Sequence, residues 1–323
     1  MKRNNSASKG TVSVVMCTFN GEKFLKEQMD SILAQDFPLH EIIVQDDCSG
    51  DDTWALLQGY AKAHEGLFKL YRNSERMGFN RNFRTALLRA ESEFVAVADQ
   101  DDVWFPGKIR RQVEAIGHKD ICFSDYFRDE VYSEHLSAYV SPPGDLVSLL
   151  FSNTIPGHTM LIRREFLQKP EAWNEGFYYD WWLLVTSWLE SRGPAHVEEA
   201  LNWHRPHALS AIARLHAASG RKKAAKPSWQ PYIFGWRDLK RLRKLPAWQL
   251  FYNYIYTHTA EDHEPLVHQL AEAMLDERAL GQLCRLCLKH RERVYPSCRG
   301  WKQKVRAFCR PAIYAYGNAS FDF

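Results

Sequence analysis

Four times in its first hundred residues the sequence passes from a short, continuous apolar run to a stretch whose apolar residues recur three and four apart. The runs lie at 11–17, 41–44, 67–71 and 94–98; the first, second and fourth are rich in valine, isoleucine or alanine. Each predicts a strand, and the first and fourth, which do not alternate polar with apolar, predict buried ones. The stretches between them carry Phe24, Leu25, Met29, Ile32 and Leu33, then Leu56, Leu57 and Tyr60, then Phe83, Ala86, Leu87 and Ala90. Each set falls on one side of a helix. Strand–helix alternation of this kind predicts an α/β fold, a Rossmann-like, mostly parallel sheet flanked by helices. Asn20 is placed to cap the first helix and Asp51 or Asp52 the second.

The fourth run ends abruptly in acid: Phe94-Val-Ala-Val-Ala-Asp-Gln-Asp-Asp-Val-Trp104. Asp99, Asp101 and Asp102 cannot be buried ionised and unpaired. In an open α/β sheet the carboxyl ends of the strands face the ligand crevice. Three carboxylates there can share a divalent cation, and hard oxygen ligands suit Mg²⁺ or Mn²⁺. The competing reading is a solvated acidic turn leading into a helix near Pro106. Thr18-Phe19-Asn20 and Asp46-Asp47 end the first two strands, so all three segments are expected along one edge of the sheet. Trp104 reads as a packing residue.

The ordered motifs Thr18-Phe19-Asn20, Asp46-Asp47-x-Ser49, Gly78-Phe79-x-x-Asn82-Phe83 and Asp99-x-Asp101-Asp102-x-Trp104-x-Pro106 resemble those of family 2 glycosyltransferases with the GT-A fold. The resemblance spans roughly residues 11–210 and is nearest to bacterial enzymes that add rhamnose or similar sugars to cell-surface polysaccharides. It implies a nucleoside-diphosphate sugar donor, UDP- or dTDP-linked, and a Mn²⁺ or Mg²⁺ cofactor. By the same resemblance Asp101 and Asp99 hold the metal, Asp99 also meets the donor sugar or ribose, and Asp102 supports either. Thr18, Phe19 and Asp47 match the nucleobase pocket, with Asn20 and Asp46 beside it. Arg76, Asn80 and Asn82 match the next part of the donor site, with helix capping as the alternative.

On the acceptor side, Asp125 and Tyr126 lie in a strand-like run at 121–127. His158, in Gly157-His-Thr-Met160, matches a segment bordering the acceptor. In Phe177-Tyr-Tyr-Asp-Trp-Trp-Leu183, aromatics flank Asp180 and Trp181. A low-dielectric pocket suits a carboxylate that must take a proton. The resemblance makes Asp180 the base that deprotonates the acceptor hydroxyl in an inverting transfer. Tyr179 stands where many relatives have histidine. Arg205 and His207, in His204-Arg-Pro-His207, match cations that bind the diphosphate when a loop closes. A His204/His207 zinc pair is a rival without a third ligand nearby. The implied acceptor is a saccharide or a lipid-linked saccharide of cell-envelope synthesis, such as O-antigen or capsule.

Residues 1–10 read as a disordered tail, 11–214 as the GT-A domain and 215–323 as a basic, mainly helical region. Net charge is only +3, but cations gather after residue 214. No nucleic-acid motif accompanies them. In Arg237-Asp-Leu-Lys-Arg-Leu-Arg-Lys-Leu245, Leu239, Leu242 and Leu245 recur opposite cations, a pattern for a helix on an anionic membrane or one packed on the domain. Seven scattered cysteines and no apolar leader point to a reducing, cytoplasmic site, peripheral on the inner membrane face. Cys284, Cys287 and His290 have zinc-like spacing, but a helix with buried cysteines explains them equally. Two other functions are rivals to this reading. A sugar-nucleotide nucleotidyltransferase would carry a glycine-rich basic loop in place of Thr18-Phe-Asn-Gly21, and a non-catalytic nucleotide-sugar-binding scaffold would need no Asp180.

Overall fold

The computed structural model describes residues 10–133, 135–191, 193–207, 229–260, 264–296 and 298–317. Most of the expected tail and the basic linker near 219–227 lie outside the described residues. The chain forms two compact units. The first draws on Met1–Pro142, Ile155–Ser187 and Ser191–Ala208; the second on Pro143–Thr154, Trp188–Glu190 and Leu209–Phe323.

The first unit opens with β1 (Val12–Thr18), α1 (Glu22–Leu33), β2 (Glu41–Asp46), α2 (Thr53–Ala63), β3 (Phe68–Arg72), α3 (Phe79–Leu87) and β4 (Phe94–Ala98). All six residues of β2 and all five of β4 are buried, as continuous apolar runs require. These four strands pair in parallel in the order β3-β2-β1-β4. Leu25, Met29 and Ile32 of α1 are fully buried in the same core as Val14, Met16 and Ala96. Burial of each such large side chain contributes about 1.5–3 kcal/mol.

The second half of the sheet departs from the expected parallel order. β5 (Val103–Trp104), α4 (Lys108–Ala115), β6 (Ile121–Phe127), β7 (Tyr139–Val140), β8 (Met160–Arg163), α5 (Tyr179–Ser191) and β9 (Ala195–Trp203) complete the elements used below. β8 runs antiparallel between β4 and β6, β9 pairs in parallel with β6, and β5 is antiparallel to β9. The sheet is therefore mixed, and β9 returns the chain from residue 195 to the acidic turn after β4. Trp104 is 2% exposed and packs in the core, as its composition suggested.

One capping expectation fails and the other is met in divided form. Gly21, not Asn20, occupies the start of α1. Asn20 is left-handed (φ 49°) and its side chain accepts the Gly50 amide instead. At α2, Asp52 holds the cap position without a side-chain bond, while Asp51 accepts from the Thr53 amide.

The second unit includes α6 (Gln230–Leu242), α7 (Pro246–His258), α8 (Pro265–Leu275), α9 (Leu280–Lys289), α10 (Gly300–Phe308) and α11 (Arg310–Gly317). α6 and α11 touch closely: a Cβ on Gly235 would lie 2.0 Å from the Ala312 carbonyl oxygen. Trp248 and Arg243 donate to the backbone carbonyls of Met274 and Ala273, and Tyr252 to that of Leu150. Leu239 and Leu242 face this interior and are fully buried. The leucine row, open from the sequence to a membrane surface or to packing on protein, is a packing face at Leu239 and Leu242. Cys284 and Cys287 are also buried on α9. Burial pushes the Cys284 thiol up to about 11 and Cys287 higher still, which disfavours the thiolate a zinc site needs.

Candidate active site

Parallel pairing brings the ends of β1, β2 and β4 together. Thr18 sits opposite Asp46, and Met16 opposite Ala98, one step before Asp99. Cys17 lies between the tips: burial, Asp47 and Asp99 all push its thiol up. Gln100, which no sequence motif marks as a contact, ties two of the tips, accepting the Phe19 amide at 2.9 Å and donating back to the Phe19 carbonyl.

The two aspartates after β2 are committed locally. Asp46 is fully buried, accepts from Thr18, from the amide and hydroxyl of Ser49, and pairs with Arg72. Its oxygens hold three strand ends together. Asp47 accepts the amides of Met77 and Gly78 and the side chain of Asn73, which fixes the loop after β3. Arg76 in that loop stacks 4.0 Å over the Phe19 ring. Outside the loop, a groove of about 380 Å³ is lined in part by Arg72, Arg76, Arg81 and Arg89. Asn82 is buried and bonded to the Gln45 carbonyl and to Asn73. Asn80 accepts the Tyr179 amide at 3.1 Å and so caps the helix carrying Asp180.

The acid turn is paired strand-to-strand with the end of β9. His207 Nε2 donates to Asp101 Oδ2 at 2.6 Å, and Arg205 Nε to the Asp101 carbonyl. Arg205 also pairs with Glu27 and lies over Phe24 and Trp203, so here it is held against protein groups. Asp102 is fully buried; its Oδ1 accepts from His204 Nδ1 at 2.9 Å and from the Arg205 amide. His158 lies 3.4 Å from Asp102 Oδ2 and stacks on His204, with ring centroids 4.7 Å apart and planes 5° apart. Asn202 donates to His158 Nδ1.

These neighbours set the charges. Burial drives Asp102 up, but the facing histidines and the bonds from His204 and Arg205 prevail and bring it down to about 2. Burial lowers His204, yet Asp102 raises it to about 8. Burial takes His158 down to about 3, so the stack holds one charged ring and one neutral ring. Burial, then Asp102 and Asp101, hold the Asp99 carboxyl well above the usual carboxylate range. Beneath them Lys108 is fully buried without a hydrogen-bond partner for Nζ, and burial lowers it to about 7.

Asp99, Asp102, His158 and His204 each offer a ligand atom, all within 4.8 Å of one another, the one such group among the described residues. Asp102 Oδ2 and His158 Nε2 are buried without hydrogen-bond partners. Two carboxylates and two imidazoles fit a first-row dication such as Mn²⁺ better than Mg²⁺. His158 and His204 were not among the expected ligands. No local spacing marks them, since the Gly157–Thr159 turn and the end of β9 bring them in from 56 and 102 residues beyond Asp102.

Asp180 opens α5, accepting its neighbour Trp181's amide at 2.8 Å and the Gly157 amide at 3.3 Å. It lies close enough to Asp99 to raise that carboxyl further. Tyr179 stacks on Phe83 with centroids 4.6 Å apart, and its hydroxyl fills the space where Gly157 lacks a Cβ. Two acceptor-side candidates lie inside the protein. Trp181 is 1% exposed and packs on Phe177, so it has no surface to offer. Asp125 is 1% exposed and bonded to His196 at 2.7 Å and to the Tyr139 hydroxyl, so its carboxylate is already satisfied.

Residues 13–170 match the family model "Glycosyl transferase family 2". TuaG of Bacillus subtilis, named for teichuronic acid biosynthesis, is 29% identical over 76% of this chain and 95% of its own length. Over 93 residues the Staphylococcus aureus poly(ribitol-phosphate) β-N-acetylglucosaminyltransferase TarS is 41% identical, but this covers only 28% of the chain and 16% of TarS. The fold matches S. aureus TarS 1–349 in complex with UDP-GlcNAc at a TM-score of 0.53, 17% identity, 95% of this chain and 91% of that one. It matches the Pyrobaculum calidifontis mannosyltransferase PcManGT, in complex with GDP-Man and Mn²⁺, at 0.55 and 15% identity, over 97% and 88%. The fold is that of GT-A glycosyltransferases, and the family match with the TuaG likeness marks an enzyme that transfers a sugar. More narrowly, residues 13–170 match glycosyltransferase family 2, and the likeness to TuaG runs on beyond them.

Proposed function

We propose that this enzyme moves a sugar, with inversion, from a UDP- or dTDP-linked donor to a saccharide or lipid-linked saccharide during cell-envelope polysaccharide synthesis. The observation that carries the reading is the convergence of Asp180 with the Asp99–Asp102 turn at one end of the sheet. An inverting transfer needs a base on one side of the anomeric carbon and a stabilised leaving group on the other. Asp180 is the base: its carboxylate accepts the acceptor hydroxyl's proton as that oxygen attacks. Thr18, Phe19 and Asp47 receive the nucleobase, with Arg76 beside them. Asp99 and Asp101 are the proposed metal ligands, with Asp102, His158 and His204 offering further ligand atoms around Asp99 and His207 beside Asp101. When bound there, a dication supplies neutralisation for the negative charge on the departing diphosphate. The raised carboxyl of Asp99 supports this, because three crowded acids ionise together more easily beside a dication. TuaG and TarS, named for wall-polymer synthesis, support the envelope role.

A thermal-shift panel of UDP-, dTDP- and GDP-sugars, dTDP-rhamnose among them, with and without Mn²⁺ tests the proposal. Binding raises the midpoint by mass action. One UDP- or dTDP-sugar should do so in a Mn²⁺-dependent way; a protein unmoved by every donor would refute it.

A further inference from the structure

Helix α10 of the second unit is amphipathic with its faces reversed. It buries Gln303 and Ala307 and turns Trp301 (71% exposed), Val305 (44%) and Phe308 (43%) outward. Spacings of four and three put these three side chains on one stripe. Helix α6 enlarges the surface: Ile233 and Phe234 are exposed, as is Trp229 just before it, and Trp236 meets Phe308 with ring centroids 6.4 Å apart. A contiguous apolar surface of this kind marks a place of interaction rather than a folding face.

The charges around it choose the partner. From Gly300 to Phe308 the helix carries Lys302, Lys304 and Arg306 and no acid. Lys302 and Lys304 are exposed, and Arg237 lies 5.7 Å from the Phe234 ring, largely in solvent. Exposed tryptophan and phenylalanine ringed by cations suit the boundary between anionic headgroups and acyl chains. A second copy of this surface fits poorly, because a two-fold contact would bring the lysines of both copies together. No helix among the described residues is long and apolar enough to cross a membrane, so the contact is with its surface.

We propose that the Trp301–Val305–Phe308 stripe, with the adjoining aromatics of α6, docks on an anionic lipid bilayer. This goes beyond the transfer reaction and needs no particular donor. It is also a different face from the buried Leu239–Leu242 row.

Co-sedimentation of the full chain with phosphatidylcholine vesicles, with or without phosphatidylglycerol, tests it. The wild type should pellet with the anionic vesicles and be released by salt. The triple change Trp301→Ser, Val305→Ser, Phe308→Ser should weaken binding about tenfold or more, and Lys302→Gln and Lys304→Gln about fivefold each. All five positions are exposed, so melting curves and the donor-induced thermal shift should be unchanged, which separates this test from that of the transfer reaction. Wild type left in the supernatant with anionic vesicles would overturn the proposal. So would a triple variant that pellets like wild type, or a dimer in light scattering that the triple change abolishes while vesicles bind nothing.

Discussion

The Gly157 amide donates to the Asp180 carboxylate at 3.3 Å, while the next residue, His158, stacks on the His204–Asp102 pair. One short turn thus touches both the proposed base and the acid–histidine cluster. A change in that turn should be felt at both.

Gly157→Ala tests this coupling. The added Cβ would lie 2.2 Å from the Tyr179 hydroxyl and 3.1 Å from the ring carbon bearing it. Tyr179 is buried, so it must shift and take the first turn of α5 with it. The variant should lose about 1–3 kcal/mol of stability and a larger share of kcat than of donor affinity. Denaturant melts and initial rates measure the two.

Asn80→Ala should remove a cap from α5 and cost about 1 kcal/mol, with Asn80→Asp restoring most of it. If Asn80 instead contacts the donor directly, the alanine variant keeps its stability and loses donor affinity. Urea melts alongside donor titration distinguish the two.

His204 gives the chelated protein a pH signature. Its folded value of about 8 lies above its ordinary 6.5. Its contribution is therefore complete below about 6.5 and is lost as pH rises through about 8. His158, depressed to about 3, works oppositely and costs stability only as pH falls below about 6.5. The stability gap between wild type and His204→Gln should shrink by about 1.5 kcal/mol from pH 6.5 to 8.5. A gap constant across that range would remove the charged His204–Asp102 pair from the account.

Asp101→Asn should weaken Mn²⁺-dependent donor stabilisation about tenfold or more, because it removes a proposed ligand and the acceptor of His207. Thermal shifts read with donor, with and without Mn²⁺, check this. Equal shifts in variant and wild type would move the metal away from Asp101.

The first half of the fold was legible because local patterns dictate it. Continuous apolar runs gave β1 to β4, and their parallel pairing put Thr18, Asp46 and Asp99 on one edge. The antiparallel entry of β8 was not legible, since no short-range signal says which strand the Met160–Arg163 run will join. The same limit hid His158 and His204, brought to Asp102 only by tertiary folding. Motif position also does not tell a ligand from a strut. Asp46, Asn82 and Asp125 are buried with their polar atoms engaged, while Asp99 beside them stays half-exposed in the cleft.

The central claim is that Asp180 takes the acceptor's proton and plays no part in holding the donor. Isothermal titration of the identified donor into Asp180→Asn, paired with its transfer rate, tests that most directly. We predict donor affinity within about twofold of wild type and kcat lowered about 10²–10⁴-fold. Transfer at the wild-type rate, or donor binding lost together with transfer, would contradict it.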